Sequence, residues 1–368
     1  MLAVGFAKMR SSTRSIVWMR PCLAGLIVVL GLCTTASASS SAGSFYDGPA
    51  GGDIILPPRK GVLVGAASGP PSAITNPSLT TLESLVGRSL DIEHRFMQQR
   101  CSLEPGVVRG AARRGHIPLI SWVPNPSVGG QVLRGDADAC IRRFGRQVAR
   151  QPYKLFLRPY WEFNGTWFAH SKNVDGSLLS ADEHKAMWRR TVKVLHAAGA
   201  FRRASIVWCP SEGHYGNGDA FDERRAYPGD EYVDWVCADG FNLNSSTAWC
   251  GAYGTPHAGW CEFGEIFHDS TTPGGNVEMD FRSRKPFMIA ETGSLESAPG
   301  KKGEWLRNIR DYSKASMPGL SALVYFDVAF NDADWRVATS SSSLQGLRDL
   351  IRDPYFDTRR RGLPSRVR

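Results

Sequence analysis

Lys285-Pro286-Phe287-Met288-Ile289-Ala290-Glu291-Thr292-Gly293 is the stretch on which the reading of the fold turns. Its apolar residues run without polar alternation, the pattern of a parallel strand buried on both faces. The run ends in Glu291 and a glycine turn, which puts a carboxylate at the exit of a buried strand. A second strand-like run, Lys154 to Tyr160, feeds into Arg158-Pro159-Tyr160-Trp161-Glu162-Phe163-Asn164-Gly165-Thr166-Trp167-Phe168. There a single carboxylate, Glu162, stands among an arginine, an amide and several aromatic rings. In barrels of parallel strands, the chemistry lies at the C-terminal rim, where both glutamates are expected.

Working outward from these two runs gives eight candidate strands: Gly61–Ala67, Ser89–Arg95, Ile117–Val123, Lys154–Tyr160, Ser205–Cys209, Val233–Asp239, Pro286–Glu291 and Ala322–Asp327. Helical stretches separate them. The clearest is Ala181–Ala198, where Ser180 with Glu183 forms a capping box and Gly199 is a stop signal. Leu79–Val86, Asp138–Ala149, Trp305–Ser313 and Leu344–Ile351 are its companions. Alternating strand and helix with eight strands fit an α/β fold, a single (β/α)8 TIM barrel. The alternative, a doubly wound open sheet, calls for a glycine-rich phosphate loop, which Gly65-Ala66-Ala67-Ser68-Gly69 imitates only faintly.

The termini read differently from the body. A basic region up to Arg20, the apolar run Cys22 to Cys33 and the small-x-small triplet Ala36-Ser37-Ala38 form an export signal over residues 1–38. The apolar run is short for a membrane span, and an uncleaved anchor is the alternative. Residues 39–58 are rich in Ser, Gly and Pro and read as a linker or loosely docked arm; residues 59–357 make the barrel and 358–368 a basic tail. The formal net charge of +9 belongs to the ends. Lys8, Arg10, Arg14 and Arg20 lie in the leader, and Arg359, Arg360, Arg361, Arg366 and Arg368 in the tail, which leaves a neutral body and no nucleic-acid footprint. Beyond the leader stand Cys101, Cys140, Cys209, Cys237, Cys250 and Cys261, an even number suited to disulfides in an exported chain. Cys250 with Cys261 closes a short loop and is the first choice, while Cys209 and Cys237 are read alternatively as buried thiols on neighbouring strands. The spacings match no zinc pattern, so no metal is expected.

Two glutamates on the ends of strands four and seven face each other across a barrel mouth. A separation of about 5–5.5 Å would make them the acid/base and nucleophile of a retaining glycosidase. Aromatic walls disfavour the charged form of Glu162, as proton donation requires. The structural alternative is that Glu162 is a buried partner of Arg158.

The chain resembles glycoside hydrolase family 26, best known for β-mannanases, over about residues 60 to 355. Arg158-Pro159-x-x-Glu162-x-Asn164-Gly165-x-Trp167 resembles its acid/base motif and Lys285 to Gly293 its nucleophile strand. Supporting pieces are Leu85-x-Gly87-Arg88-x-x-Asp91, Ser121-Trp122-x-x-Asn125-Pro126, Ile206-Val207-Trp208-x-Pro210, Tyr227-Pro228-Gly229-Asp230-x-x-Val233-Asp234 and Asp239-Gly240-Phe241-Asn242. The resemblance implies Glu162 as acid/base and Glu291 as nucleophile. It departs from the mannanases at Trp161 and Val123, where they carry His, and at Phe241, where they carry Tyr. These departures bear on which sugar is taken more than on the chemistry.

Further expected substrate contacts are Arg158, Trp161, Asn164, Trp167, Asp239 and Phe241. Trp208 is read equally as platform or core, and Phe326 and Trp335 compete as the aromatic floor after strand eight. Asn164 has an alternative role in holding its turn, and Asp239 in capping its loop. The segment Ser245–Glu262, with Trp249, Tyr253, His257 and Trp260, is read either as part of the subsites or as a stapled surface loop. The expected activity is secreted, retaining endo-hydrolysis of a β-linked polysaccharide, β-1,4-mannan first, by a monomer without cofactor. Mixed-linkage glucanase or xylanase, and a glycan-binding barrel without catalysis, are the alternatives.

Overall fold

The computed structural model describes residues 54–68, 78–212, 223–250, 257–268, 277–330 and 333–358, with backbone alone at 245–250, 257, 258 and 330. The chain divides into units 1–43 and 44–368, and everything described lies in the second.

Eight parallel strands close into a barrel in chain order: β1 (Leu63–Ser68), β2 (Ile92–Met97), β3 (Ile117–Trp122), β4 (Leu155–Pro159), β5 (Ala204–Trp208), β6 (Trp235–Asn242), β7 (Phe287–Ser294) and β8 (Leu320–Asp327). β8 returns to β1 with Ala322 opposite Leu63 and Asp327 opposite Ser68. Every expected strand is present, because continuous apolar runs such as Phe287–Ala290 are buried whichever way a side chain points. The strands end later than expected, by one residue in β1 (Ser68), by Phe96 and Met97 in β2, by Gly240, Phe241 and Asn242 in β6, and by Thr292, Gly293 and Ser294 in β7.

The helices around the barrel are α1 (Leu79–Val86), α2 (Pro105–Arg113), α3 (Gly129–Arg134), α4 (Asp138–Ala149), α5 (Ala181–Ala197), α6 (Glu223–Ala226), α7 (Phe263–Phe267), α8 (Val277–Phe281), α9 (Lys301–Ser316) and α10 (Ser341–Arg352). α5 begins with the capping box: Glu183 N donates to Ser180 Oγ at 3.3 Å and Ser180 N to Glu183 Oε2 at 2.8 Å. It is followed by Gly199, whose φ of 78° a side chain would strain. α2, outside the expected set, carries its start signal in Pro105 at the first turn. α3, α6, α7 and α8 span six residues or fewer, too few for a helical period to show.

The core lies between strands and helices. Trp122 stacks on Phe144 of α4 with centroids 4.2 Å apart. Trp208 is fully buried against Phe163, Tyr227 and Phe281, at 5.1, 5.3 and 5.6 Å. This decides the even reading of Trp208 for core; removing such a ring costs about 3–5 kcal/mol. The end of the Ser/Gly/Pro-rich arm packs firmly: Ile55 is buried, its N–H donates to Ser205 Oγ at 2.7 Å, and its carbonyl accepts from Trp235 Nε1 at 2.7 Å.

Disulfides join Cys101 to Cys140 and Cys209 to Cys237. The second corrects the reading of Cys209 and Cys237 as free thiols. Ladder contacts Val207–Trp235 and Trp208–Val236 bring the two cysteines side by side, one residue further along each strand. Cys261 is also disulfide-bonded, and the expected partner, Cys250, lies outside the described side chains. Among the described residues no helix is long and apolar enough to cross a membrane.

Candidate active site

β4 ends at Pro159, and the next three residues make a tight turn. Tyr160 and Glu162 adopt φ of 50° and 52°, a left-handed conformation unusual for residues with side chains. Such strain costs on the order of 1–3 kcal/mol per residue and persists only where the surroundings enforce it. Here Tyr160 N–H donates to the Trp122 carbonyl at 3.3 Å and Glu162 N–H to the Cys209 carbonyl at 2.9 Å. Asn164 adds a side-chain clamp, donating to the Ser211 carbonyl at 2.8 Å and accepting from Ser211 N–H at 2.8 Å. The turn is thus tied to both neighbouring strands, and Glu162 is delivered to the barrel mouth.

Glu291 reaches the same mouth from β7, paired in register with Asp239 of β6. Beneath it lies Arg158, fully buried. Arg158 Nη1 donates to both oxygens of Asp239 at 2.7 and 2.8 Å, Nη2 donates to Glu291 Oε1, and Nε donates to Ser121 Oγ at 2.8 Å. His94 on β2 completes the layer, with Nε2 2.7 Å from Ser121 Oγ. Burial, with the positive charge of Arg158, holds His94 neutral by pushing it well below the ordinary imidazole range.

Glu162 and Glu291 line one cavity of about 820 Å³. Its walls are aromatic: Phe96, Trp161, Trp167, Phe241, Phe326 and Trp335 all face it. Phe241, Phe326 and Trp335 pack on one another with centroids 5.5, 5.5 and 5.7 Å apart. Burial raises Glu162, the field of Glu291 raises it further, and the opposing pull of Trp167 and Arg158 leaves it at about 8. Burial also pushes Glu291 up, with Arg158 acting against it. One guanidinium faces three carboxylates (Glu162, Asp239 and Glu291), so the farthest from it, Glu162, keeps its proton at neutral pH while Glu291 is the better placed to ionise. This is the division of labour that acid/base and nucleophile require.

Seven expected site residues therefore come together at the cavity: Trp161, Glu162, Trp167, Phe241, Glu291, Phe326 and Trp335. The choice between Phe326 and Trp335 dissolves, since both line it. Four expected substrate contacts do not line it. Arg158 and Asp239 are occupied with each other below the floor, Asn164 holds the turn, and Trp208 is core. For Arg158 and Asp239 the reason is reach: from the strand ends, a guanidinium and a carboxylate that face inward meet before either meets a ligand. Phe96, Gln98, Arg100, Glu104 and Phe168 also line the cavity and were not among the expected substrate contacts. Phe96 stands at the end of β2, a rim position that would have nominated it. Trp260 does not line the cavity and donates instead to Glu262 Oε1 at 2.7 Å. The side chains of Trp249, Tyr253 and His257 lie outside the described residues.

Among the described residues, the one group of metal-ligating atoms close enough to share an ion is Cys209, Cys237 and Asp239, and its two sulfurs are joined to each other. Such a group offers no thiolate to a metal.

The sequence model described as glycosyl hydrolase family 26 matches residues 122–255, the span holding β4, the Glu162 turn, β5 and β6. Over that span the chain is similar to this family. Endoglucanase H of Acetivibrio thermocellus is 28% identical over 302 residues, covering 80% of this chain and 31% of that protein. A mannan endo-1,4-beta-mannosidase of Bifidobacterium adolescentis is 30% identical over 99 residues, 26% of this chain and 9% of that protein. The chain thus spans about a third of the first relative and a tenth of the second. Among solved structures, the modular endo-beta-1,4-mannanase of Cellulomonas fimi shares the fold at a TM-score of 0.55, with 15% identity over 80% of this chain and 71% of that one.

Proposed function

We propose that this protein is a retaining endo-glycosidase of family 26 acting on a β-linked polysaccharide outside the cell, with β-1,4-mannan as first substrate. The observation that carries the reading is that Glu162 and Glu291 line a single cavity while their surroundings favour a protonated Glu162. In the first step Glu291 attacks the anomeric carbon as the glycosidic C–O bond breaks, and the Glu162 proton passes to the leaving oxygen. In the second, water replaces Glu291 and gives its proton to Glu162, restoring both groups. Arg158 holds the nucleophile in place and offsets its charge. Aromatic faces along the cavity suit the apolar faces of sugar rings.

Mannan stands first because the relatives named above include one mannanase similar in sequence over part of the chain and one similar in fold. A β-glucan is the second reading, favoured by endoglucanase H, whose similarity covers 80% of this chain. Trp161 and Phe241 on the cavity wall support it, since they stand where the resemblance to the mannanases sets a His and a Tyr. Export is supported by the leader-like residues 1–38 and by the disulfides, which form in oxidising compartments. In this reading residues 358–368 remain a basic tail, and the barrel works as a monomer without cofactor.

Purified protein offered mannan, mixed-linkage glucan and xylan, with product sizing, tests the substrate. Oligosaccharides of mixed length from mannan are expected, and no reducing sugar from any polymer would overturn the proposal. Glu291→Ala should lose turnover and regain part of it with azide on an activated aryl glycoside, as a retaining nucleophile variant does.

A further inference from the structure

The acid/base turn contains a hydrogen bond that the two-carboxylate mechanism does not call for. Trp167 Nε1 donates to Glu162 Oε2 at 2.8 Å, although the Trp167 ring is 44% exposed and lines the cavity. An exposed indole rarely holds one rotamer unless something seats it. Two neighbours seat this one. A Cβ on Gly165 would lie 2.4 Å from two Trp167 ring carbons, so the indole rests against the turn where only glycine leaves room. Phe168 meets the ring edge-on with centroids 6.3 Å apart. The acceptor is equally fixed, through the Glu162 N–H bond to Cys209 and the Asn164 clamp on Ser211.

An indole N–H only donates. The oxygen it meets must therefore accept, and a protonated carboxyl accepts best at its carbonyl oxygen. Resting on the functional reading above, we propose that Trp167 is a positioning residue for the acid/base. Its N–H fixes Oε2 of Glu162 as the accepting oxygen and leaves the catalytic proton on Oε1. In the second half of the reaction the same bond stabilises the carboxylate that must take a proton from water. The spacing Glu162-x-Asn164-Gly165-x-Trp167 then has one purpose: Asn164 anchors the turn, Gly165 makes room and Trp167 directs the proton.

Trp167→Phe keeps an aromatic ring and removes the donor. A bond to the ionised form favours that form, so its loss raises the Glu162 pKa. The basic limb of the kcat/KM profile should move up by about one unit, the scale of one hydrogen bond to a charged group. Turnover should fall more on substrates with poor leaving groups than on a dinitrophenyl glycoside, which needs no proton. Gly165→Ala reaches the same bond from the turn side and should shift the limb the same way. Two folded variants with an unmoved basic limb would overturn the proposal. The wild-type chain supplies a readout that needs neither variant nor turnover. With 15N-labelled indoles, one Nε1–H resonance should titrate near pH 8 and stop titrating in Glu162→Gln; no titrating indole would also overturn it. Failure of the polysaccharide panel would defeat the functional reading and leave this bond to be judged by the resonance.

Discussion

Glu93 and Glu162 lie on opposite sides of the barrel wall, and their environments drive them in opposite directions. Burial raises both. Glu93, on the helix side of β2, is then pulled down to about 2 by His116, Arg114 and Arg95. Arg114 Nη2 donates to its two oxygens at 2.8 and 2.6 Å, Arg95 Nη2 at 2.8 Å, and His116 Nδ1 lies 3.0 Å away. Glu162, at the mouth, has one indole donor and a second carboxylate for a neighbour, and ends at about 8. Desolvation alone thus decides neither charge state. The ratio of donors to carboxylates does: several donors around one carboxylate make a structural anion, and one guanidinium among three carboxylates leaves a proton to give.

The contrast is sharpest in substitution. Glu162→Gln should lower turnover by about 10²–10⁴-fold while the fold persists, measured as kcat on the best polymer with circular dichroism as control. Glu93→Gln should do the reverse. It takes away the carboxylate that Arg114 and Arg95 pair with at the outer face of the wall and should cost about 1–3 kcal/mol in a denaturant titration, with the rate per folded molecule unchanged. A Glu93 variant that folds fully yet is inactive would break the comparison.

Arg158→Met tests the count of charges within the mouth itself. Asp239 and Glu291 would then share a site with no cation, and the acidic limb of the pH–rate profile, set by Glu291, should rise by about 1–3 units. An unmoved limb would show that Arg158 does not tune the nucleophile.

The pH dependences follow with opposite signs. The rate should fall above about pH 8 as Glu162 gives up its proton. Between about 4.5 and 8 the folded state holds a proton on Glu162 that the unfolded chain has released, so this group's contribution to stability declines as pH rises. Glu93, depressed to about 2, contributes fully above about 4.5, and its contribution disappears as pH falls toward 2. The smallest expected effect comes from combining these. Glu162→Gln should raise the melting temperature at pH 9 by roughly 2 °C and change it less at pH 5. Equal shifts at both pH values would argue against a raised Glu162.

Much of this was legible in sequence. The eight strands could be read because apolar runs buried on both faces need no partner to be recognised. α5 could be read from Ser180 and Glu183, since a cap is a local device. The pair Glu162 and Glu291 could be read from their places at strand ends. Arg158, Asn164 and Asp239 could be found but not cast: proximity to a glutamate in sequence did not say whether each would face a sugar or hold its neighbours. Phe96 escaped because the expected β2 stopped at Arg95, one residue short of it, so its place at the strand end was not seen. The Cys209–Cys237 bridge depended on the register of β5 and β6, a contact between segments far apart in the chain.

The chain alone determined that a barrel forms and that two carboxylates stand on its rim, because burial pattern and strand ends are properties of consecutive residues. Only the closed barrel decided which polar groups meet. Arg158 became a floor for Glu291 and Trp208 became core, because packing, charges and hydrogen bonds act across space between residues that the sequence keeps apart.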